Sequence, residues 1–138
     1  MIYEGKVQYK KIGDDGMWQT IKESYAIENC ESFGQAEETL YELLSYDNIK
    51  DVDVIDIKRS KVKEIANAHE NTDDKVFMAE IKDVFTKDDG STKDIKYKIL
   101  FFAKNFDAAK VFISEYIAQG YDMILIGLKE TSIVDIIA

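Results

Sequence analysis

The chain has 138 residues, of which 46% are hydrophobic and 33% charged, and its one cysteine, Cys30, has no partner for an internal disulfide. This composition is typical of a soluble globular protein, and no apolar stretch reaches the roughly 20 residues of a membrane-spanning helix. A net charge of −9 opposes loose binding to nucleic acid, although it permits a local basic path. The start of the sequence shows no signal-peptide pattern, and a single cysteine fits a reducing compartment.

The first predicted element is a β-hairpin with its turn at Gly13-Asp14-Asp15-Gly16. The pattern recurs at Lys87-Asp88-Asp89-Gly90, an offset of about 74 residues. Alternating apolar residues flank both turns, and an Asp-Gly pair between such runs favours a hairpin because glycine supplies a positive φ. We therefore predict two equivalent hairpins.

A helix is predicted after each hairpin, opened by Ser32 in the first copy and by Asn105 in the second. Both residues are suited to the N-cap position, since a short side-chain oxygen can accept a bond from a free helix amide. Apolar residues then follow at the spacing of one helix face: Ala36, Leu40, Leu43 and Leu44, and Ala109, Ile113, Tyr116 and Ile117. Gly120 is expected to end the second helix.

A third strand is predicted to close each copy, over Val52–Ile57 and over Met123–Leu128. The tails that follow, Lys58–Ile65 and Lys129–Ile136, also match each other, and we predict a short helical turn in each. The polar segment Asn67–Asp74 is predicted to link the copies.

The sequence is thus predicted to be one ββαβ unit written twice, with residues 1–70 as the first repeat and residues 71–138 as the second. We expect the repeats to form one compact domain around a pseudo-twofold axis, because a single unit leaves strand edges exposed. The fold class is α+β, with a mainly antiparallel sheet, six main strands and two principal helices.

No set of residues suited to catalysis is found. The only histidine is His69, in the predicted linker, so acid–base or nucleophilic chemistry that needs histidine depends on it alone. Zinc sites need several cysteines or histidines, and no glycine pattern of a phosphate-binding loop occurs. We therefore expect a protein that is not an enzyme and that has no cofactor and no metal.

Aromatic residues lie among lysines on the predicted hairpin strands. Aromatic rings with flanking cations on a sheet face are typical of proteins that bind single-stranded nucleic acid, because bases stack on rings while lysines contact the backbone. The alternative is that the rings form the core and the lysines form the solvated face. The candidate nucleic-acid-binding residues are Tyr9, Lys11, Trp18, Lys58, Arg59, Lys61, Lys63 and Tyr97, with Tyr9, Trp18 and Tyr97 expected to be exposed.

Three segments resemble a known family: Lys6-Val7-x-Tyr9, the stretch Tyr25–Glu37, and Asp56–Ser60. Together they are similar to an uncharacterised family of small proteins from Bacteroides-type bacteria and their crAss-like phages. The family has no established catalytic residues. The resemblance implies an association with phage replication genes and single-stranded DNA binding, and a cytoplasmic protein made in an infected or lysogenic cell.

The leading hypothesis is a non-catalytic protein that binds single-stranded nucleic acid. The alternative is an acidic protein-interaction module, such as an assembly factor or an inhibitor of a host protein, which could dock through an exposed strand edge. Neither hypothesis involves a membrane, and both are compatible with a homodimer.

Overall fold

The computed structural model describes residues 1–120 and 122–138, which form two helices and eight strands. Two compact units are present: unit 1 comprises Met1–Ser60 and Ser132–Ala138, and unit 2 comprises Lys61–Thr131. The elements in chain order are β1 (Tyr3–Ile12), β2 (Trp18–Ile27), α1 (Phe33–Leu43), β3 (Ile49–Arg59), β4 (Val62–Ile65), β5 (Lys75–Thr86), β6 (Thr92–Ala103), α2 (Phe106–Ala118), β7 (Met123–Glu130) and β8 (Ile133–Ile137).

The α+β class is confirmed, and the order β1-β2-α1-β3 recurs as β5-β6-α2-β7. The two compact units do not follow the limits at residues 70 and 71, so those repeat boundaries stay a prediction. Among the described residues, no helix is both long and apolar enough to cross a membrane.

Both hairpins form at the predicted turns. Gly16 and Gly90 adopt φ values of 78° and 85°, in the left-handed region that favours glycine. The carboxylates of Asp15 and Asp89 each accept a bond, at 2.9 Å, from a backbone N–H two residues further along. These aspartates therefore stabilise their own turns.

Unit 1 contains a four-stranded sheet in the order β3-β1-β2-β8, in which only the β2–β8 pair is parallel. One face of the sheet, which we call its helix face, packs against α1. Alternate residues of β1 point to this face, among them Tyr3, Val7 and Tyr9. Gly5 lies on the same face where Leu40 of α1 comes closest: a Cβ atom at position 5 would lie 2.4 Å from Leu40 Cδ1.

Unit 2 contains a second four-stranded sheet, in the order β4-β6-β5-β7, in which only the β4–β6 pair is parallel. Its helix face packs against α2 through a core that includes Phe77, Phe101 and Ile113. The ring of Phe101 stacks on that of Phe112 with centroids 4.6 Å apart. This aromatic packing therefore joins residues that alternate along β5 and β6 to the inner face of α2.

The predicted helix starts are confirmed. Ser32 Oγ accepts a bond from the Gln35 amide at 3.1 Å, and Asn105 Oδ1 accepts one from the Ala108 amide at 2.8 Å. The predicted apolar faces of α1 and α2 also pack into the cores of their units.

The predicted helical turns in the two tails are wrong, because both tails continue as strands. The first tail forms β4, which pairs with β6 in unit 2, and the second forms β8, which pairs with β2 in unit 1. β8 is rich in β-branched residues, which favour strands, and the edges of β6 and β2 offer unpaired backbone groups. Each repeat therefore supplies its last strand to the sheet built mainly by the other repeat.

Candidate nucleic-acid interface

The eight predicted binding residues are divided between the two units. Unit 1 holds Tyr9, Lys11, Trp18, Lys58 and Arg59, and unit 2 holds Lys61, Lys63 and Tyr97. No single unit presents the whole predicted set.

Tyr9 is not the exposed residue that we expected. Only 6% of its surface is accessible, because it lies on the helix face of unit 1 in phase with Tyr3 and Val7. Its hydroxyl donates to the carboxylate of Glu23. Burial, the bond to Glu23 and the charge of that carboxylate raise the pKa of Tyr9 to about 12. The ring is therefore part of the core and is not available for stacking on a base.

Lys11 lies on the same helix face, because it is two residues after Tyr9 on β1 and alternate residues of a strand point to one face. It is exposed near the end of the hairpin. Lys11 is therefore on the opposite face of the sheet from Trp18.

The basic cluster predicted between residues 58 and 63 does not form one surface of one unit. Lys58 pairs with Glu4 at 3.6 Å, and the Arg59 guanidinium contacts the sulfur of Met1 at the end of β3. Lys61 and Lys63 lie beyond the change of unit. The Lys58 side chain is exposed, so its ion pair with the half-buried Glu4 contributes little stability and leaves Lys58 able to exchange partners.

In unit 2 the structure brings Tyr97 and Lys63 together. The Lys63 Nζ atom lies 4.2 Å from the centroid of the Tyr97 ring. The ring is half-buried on the helix face, where its hydroxyl lies 3.7 Å from the sulfur of Met123. Burial and the charge of Asp83 raise the pKa of Tyr97. With one cation already above it, this half-buried ring offers little stacking surface.

Trp18 is the predicted aromatic residue that is exposed, with 43% of its surface accessible. Its side chain points away from α1, on what we call the open face of the unit 1 sheet, opposite Ile12 on β1. The Lys50 Nζ atom lies 4.0 Å from the centroid of the Trp18 ring. An exposed indole with a cation above it can stack on another planar group on its free side.

Two further lysines share the open face with Trp18. Lys10 lies directly opposite Lys50 in the β1–β3 pair, and Lys22 is on the same face of β2, opposite Gln8. We call Lys10, Ile12, Trp18, Lys22 and Lys50 the Trp18 patch. Like charges that face each other across neighbouring strands destabilise a sheet, and a bound anion would relieve this repulsion.

The charge of the Trp18 patch is only partly neutralised. Lys10 forms an exposed ion pair with Asp51 at 3.7 Å, and Asp51 has a φ of 54° at an irregularity of β3. Within the described residues, neither Lys22 nor Lys50 has a carboxylate oxygen within 4 Å. Lys50, above the indole, and Lys22, about 13 Å further along β2, are therefore available to a ligand, despite the net charge of −9.

Sequence reasoning missed the lysines of this patch as site residues. The register of the hairpin could have placed Lys10 and Lys22, because residues at equal parity from the turn share a face. Lys50 had no such signal, because its position depends on a register shift between β1 and β3.

His69 and Cys30 are the chain's one histidine and one cysteine, and the described part of the chain holds them in different units. No group of three or more histidine, cysteine, aspartate or glutamate residues there could hold a metal ion. His69 is exposed, with its ring edge against Phe102 at a centroid distance of 5.3 Å. Cys30 is buried in the core of unit 1.

Comparison with known proteins gives one match. The family model of a domain of unknown function, DUF4494, matches residues 1–138. No curated protein and no solved structure matches the chain.

Proposed function

Since the chain belongs to the DUF4494 family over residues 1–138, whose description names no activity, we propose from its own residues that it is a non-catalytic protein that binds single-stranded nucleic acid through the Trp18 patch. The observation that carries this proposal is the exposed indole of Trp18 on a sheet face that also presents Lys10, Lys22 and Lys50. A base would stack on the indole while the lysines contact neighbouring phosphates. We further propose that the protein acts in the cytoplasm, in DNA metabolism of Bacteroides-type bacteria or their crAss-like phages.

Geometry favours a single strand over a duplex. Trp18 lies on an exposed sheet face next to a hairpin turn, where an unstacked base can reach its ring. In a duplex the bases are already stacked and paired, so the indole would have no free base face to contact. The small number of lysines predicts weak binding with a modest salt dependence, a slope of about −2 in log K against log salt concentration for three lysines.

Lys50 contributes in two ways. In the free protein it covers one side of the Trp18 ring at 4.0 Å, which holds the indole in place. In the complex its ammonium group can pair with a phosphate, which also relieves its repulsion from Lys10 across the β1–β3 pair. Binding should therefore weaken the electrostatic repulsion between Lys10 and Lys50.

The direct test is a titration of the protein with oligothymidine, with Trp18 fluorescence as the signal. The chain has one tryptophan, so any quenching reports on the patch. We expect saturable quenching at low salt and micromolar protein. Absence of quenching under these conditions would refute the proposal.

Variants distinguish binding at the Trp18 patch from non-specific attraction of the oligonucleotide to other lysines. With a labelled oligonucleotide and anisotropy detection, Trp18→Ala should weaken binding by about 5- to 150-fold, the loss expected of one stacked base. Lys22→Gln should weaken binding and reduce the salt slope by about 0.7. Its matched control is Lys96→Gln, at the equivalent position of unit 2, where Thr92 replaces Trp18. Equal losses in both lysine variants would contradict a site on unit 1.

The second candidate function is that of a protein-interaction module, and a different observation favours it. β7 is an edge strand of the unit 2 sheet, and Ile124, Leu125 and Ile126 on it are all exposed. A strand edge with exposed aliphatic side chains can accept an added strand from a partner protein. The overall charge of −9 agrees better with this function than with nucleic-acid binding.

A pull-down from nuclease-treated host lysate tests this second candidate. A single protein captured by the wild type, and lost with Ile124→Lys or Ile126→Lys, would support docking at β7. Trp18→Ala is the control and should leave that capture unchanged. Capture that is lost only after nuclease treatment would favour nucleic-acid binding instead.

A further inference from the structure

A cavity on the helix face of unit 1 has features that the proposed function does not use. It is open to solvent and has a volume of about 440 Å³, and five polar side chains of β1, β2 and β8 line it: Tyr9, Lys11, Glu23, Tyr25 and Asp135. Apolar walls come from Leu43, Ile49 and Val134. We call it the tyrosine–carboxylate cavity. Small-ligand sites usually combine apolar walls with a few converging polar groups, and this cavity has both.

Glu23 is an unusual residue for this face. It lies directly opposite the fully buried Val7 and on the same face as Tyr9 and Tyr25. Both phenol hydroxyls donate to the same Glu23 oxygen, that of Tyr25 at 3.3 Å. A carboxylate placed among core residues loses hydration, and hydrogen bonds from two phenols offset part of that loss.

A second carboxylate faces the same cavity from β8. Asp135 pairs with Tyr25 in the parallel register of β2 and β8, so its side chain is also on the helix face. Burial raises the pKa of Tyr25, and the charges of Glu23 and Asp135 raise it further. The cavity is therefore under the negative potential of two half-buried carboxylates.

No cation of unit 1 neutralises this pair. Within the described residues, no lysine or arginine nitrogen lies within 4 Å of either carboxylate. Lys11 lines the cavity without pairing with Glu23 or Asp135. Glu23 accepts bonds from two phenols and Asp135 Oδ1 accepts one from the Ile136 N–H at 2.8 Å, but none of these donors is charged. A ligand without positive charge would leave both carboxylates without an ionic partner, whereas a cation would pair with them.

We propose that the tyrosine–carboxylate cavity binds an organic ammonium ion with an apolar body. The ammonium group would bond to Glu23 and Asp135, and the apolar body would pack against Leu43 and Ile49. The same chemistry is offered by a free alkylamine and by the side chain of a lysine in a peptide. The site belongs to unit 1 alone, because the position of Glu23 is occupied by Tyr97 in unit 2.

The test uses the full chain and three probes of similar shape and different charge: phenethylamine, phenethyl alcohol and phenylacetate. Binding is followed by two-dimensional amide NMR. We expect saturable shifts from the amine, centred on amides of β2 and β8, and at least about tenfold weaker effects from the other two. Equal effects from all three probes, or shifts centred on unit 2, would overturn the proposal.

Two variants test the assigned carboxylates. Glu23→Gln and Asp135→Asn should each weaken phenethylamine binding by about tenfold or more, while Glu115→Gln, an exposed charge change on α2, should have no effect. If Glu23→Gln fails to fold, Asp135→Asn and the probe series still decide the matter. Unchanged binding in a folded Asp135→Asn variant would exclude Asp135 from the site.

A further arm distinguishes the two sources of the ammonium group. Nα-acetyl-lysine methylamide and a lysine-containing tripeptide are titrated in parallel with phenethylamine. Tighter binding of the peptide points to a lysine side chain of a protein partner, and tighter binding of the free amine points to a small metabolite. This outcome is independent of the Trp18 patch, which lies on the opposite face of the sheet.

Discussion

Replacement of Gly5 by alanine should destabilise unit 1, because a Cβ atom there would lie 2.4 Å from Leu40 Cδ1. Leu40 is fully buried, so it cannot move away without disturbing the α1 contact. In the second repeat the position of Gly5 is occupied by Ala79 and that of Leu40 by Ile113, and both residues are buried in the core of unit 2. The second repeat therefore suggests that Leu40→Ile would compensate for Gly5→Ala.

The size of the effect follows from two opposing contributions. Overpacking of a filled core costs about 1–3 kcal/mol, and the better strand preference of alanine returns about 0.5–1 kcal/mol. Because an approach of 2.4 Å is a severe overlap, the upper part of the overpacking range applies, about 2–3 kcal/mol, and Gly5→Ala should lower the free energy of unfolding by about 1–2.5 kcal/mol. Leu40→Ile alone changes shape without changing volume and should cost less than about 1.5 kcal/mol.

The double variant decides whether the contact is the cause. Gly5→Ala with Leu40→Ile recreates the pair used in unit 2, so its free energy of unfolding should return to within about 1 kcal/mol of the wild type. Urea unfolding followed by Trp18 fluorescence reports on unit 1, and far-UV circular dichroism reports on the whole chain. Strictly additive losses in the double variant would refute the reasoning, since two residues in contact should couple.

Other predictions follow from single contacts. Because the pKa of Tyr9 is raised to about 12 from an unfolded value of about 10, its contribution to stability is complete below pH 10 and is lost as the pH rises through 12. A 295 nm absorbance titration of wild type and Tyr9→Phe checks this, and Glu23→Gln should lower the pKa of Tyr9 without restoring its ordinary value, because burial remains. Asn67 bonds both the N–H and the C=O of Phe102, at 2.7 and 3.0 Å; Asn67→Ala should cost about 1–3 kcal/mol and speed hydrogen exchange at that amide, and unchanged exchange would count against it. Removal of residues 132–138 should expose the β2 edge and promote association, measurable by light scattering against the full chain.

The sequence predicts the local elements well, because their signals are local. Asp-Gly turns need only a positive φ at Gly16 and Gly90, and the N-caps need only a short polar side chain at Ser32 and Asn105. Each of these features depends on a few neighbouring residues, so a pattern in the sequence is sufficient to find it.

The tails could not be predicted in the same way. Over Val62–Ile65 and Ile133–Ile137 the few apolar residues fit a helical spacing as well as a strand. What decides in favour of strands is the parallel pairing with β6 and β2, whose edges are distant in sequence. Pairing between strands that are distant in the chain leaves no recognisable pattern in the sequence of either tail.

Prediction of the candidate site fails where the function of a residue depends on whether its side chain is buried or exposed. Tyr9 and Trp18 look alike in sequence, each near a lysine on a hairpin strand. Their parity relative to Val7 separates them, since Tyr9 shares the core face and Trp18 does not. Glu23 gave no signal, because a carboxylate on a core face contradicts the alternation that strand prediction relies on.

The exchange of the last strand between repeats affects how the chain can fold during synthesis. Unit 1 has most of its residues once the ribosome has passed Ser60, but β2 gains its parallel neighbour only when Ile133–Ile137 has been made. Until then, the β2 edge from Ser24 to Ile27 is open to other chains. Translation of about 70 further residues separates the two events, several seconds at usual elongation rates. The duplication therefore delays completion of the first sheet to the end of the second repeat, and a stalled ribosome would hold an incomplete sheet.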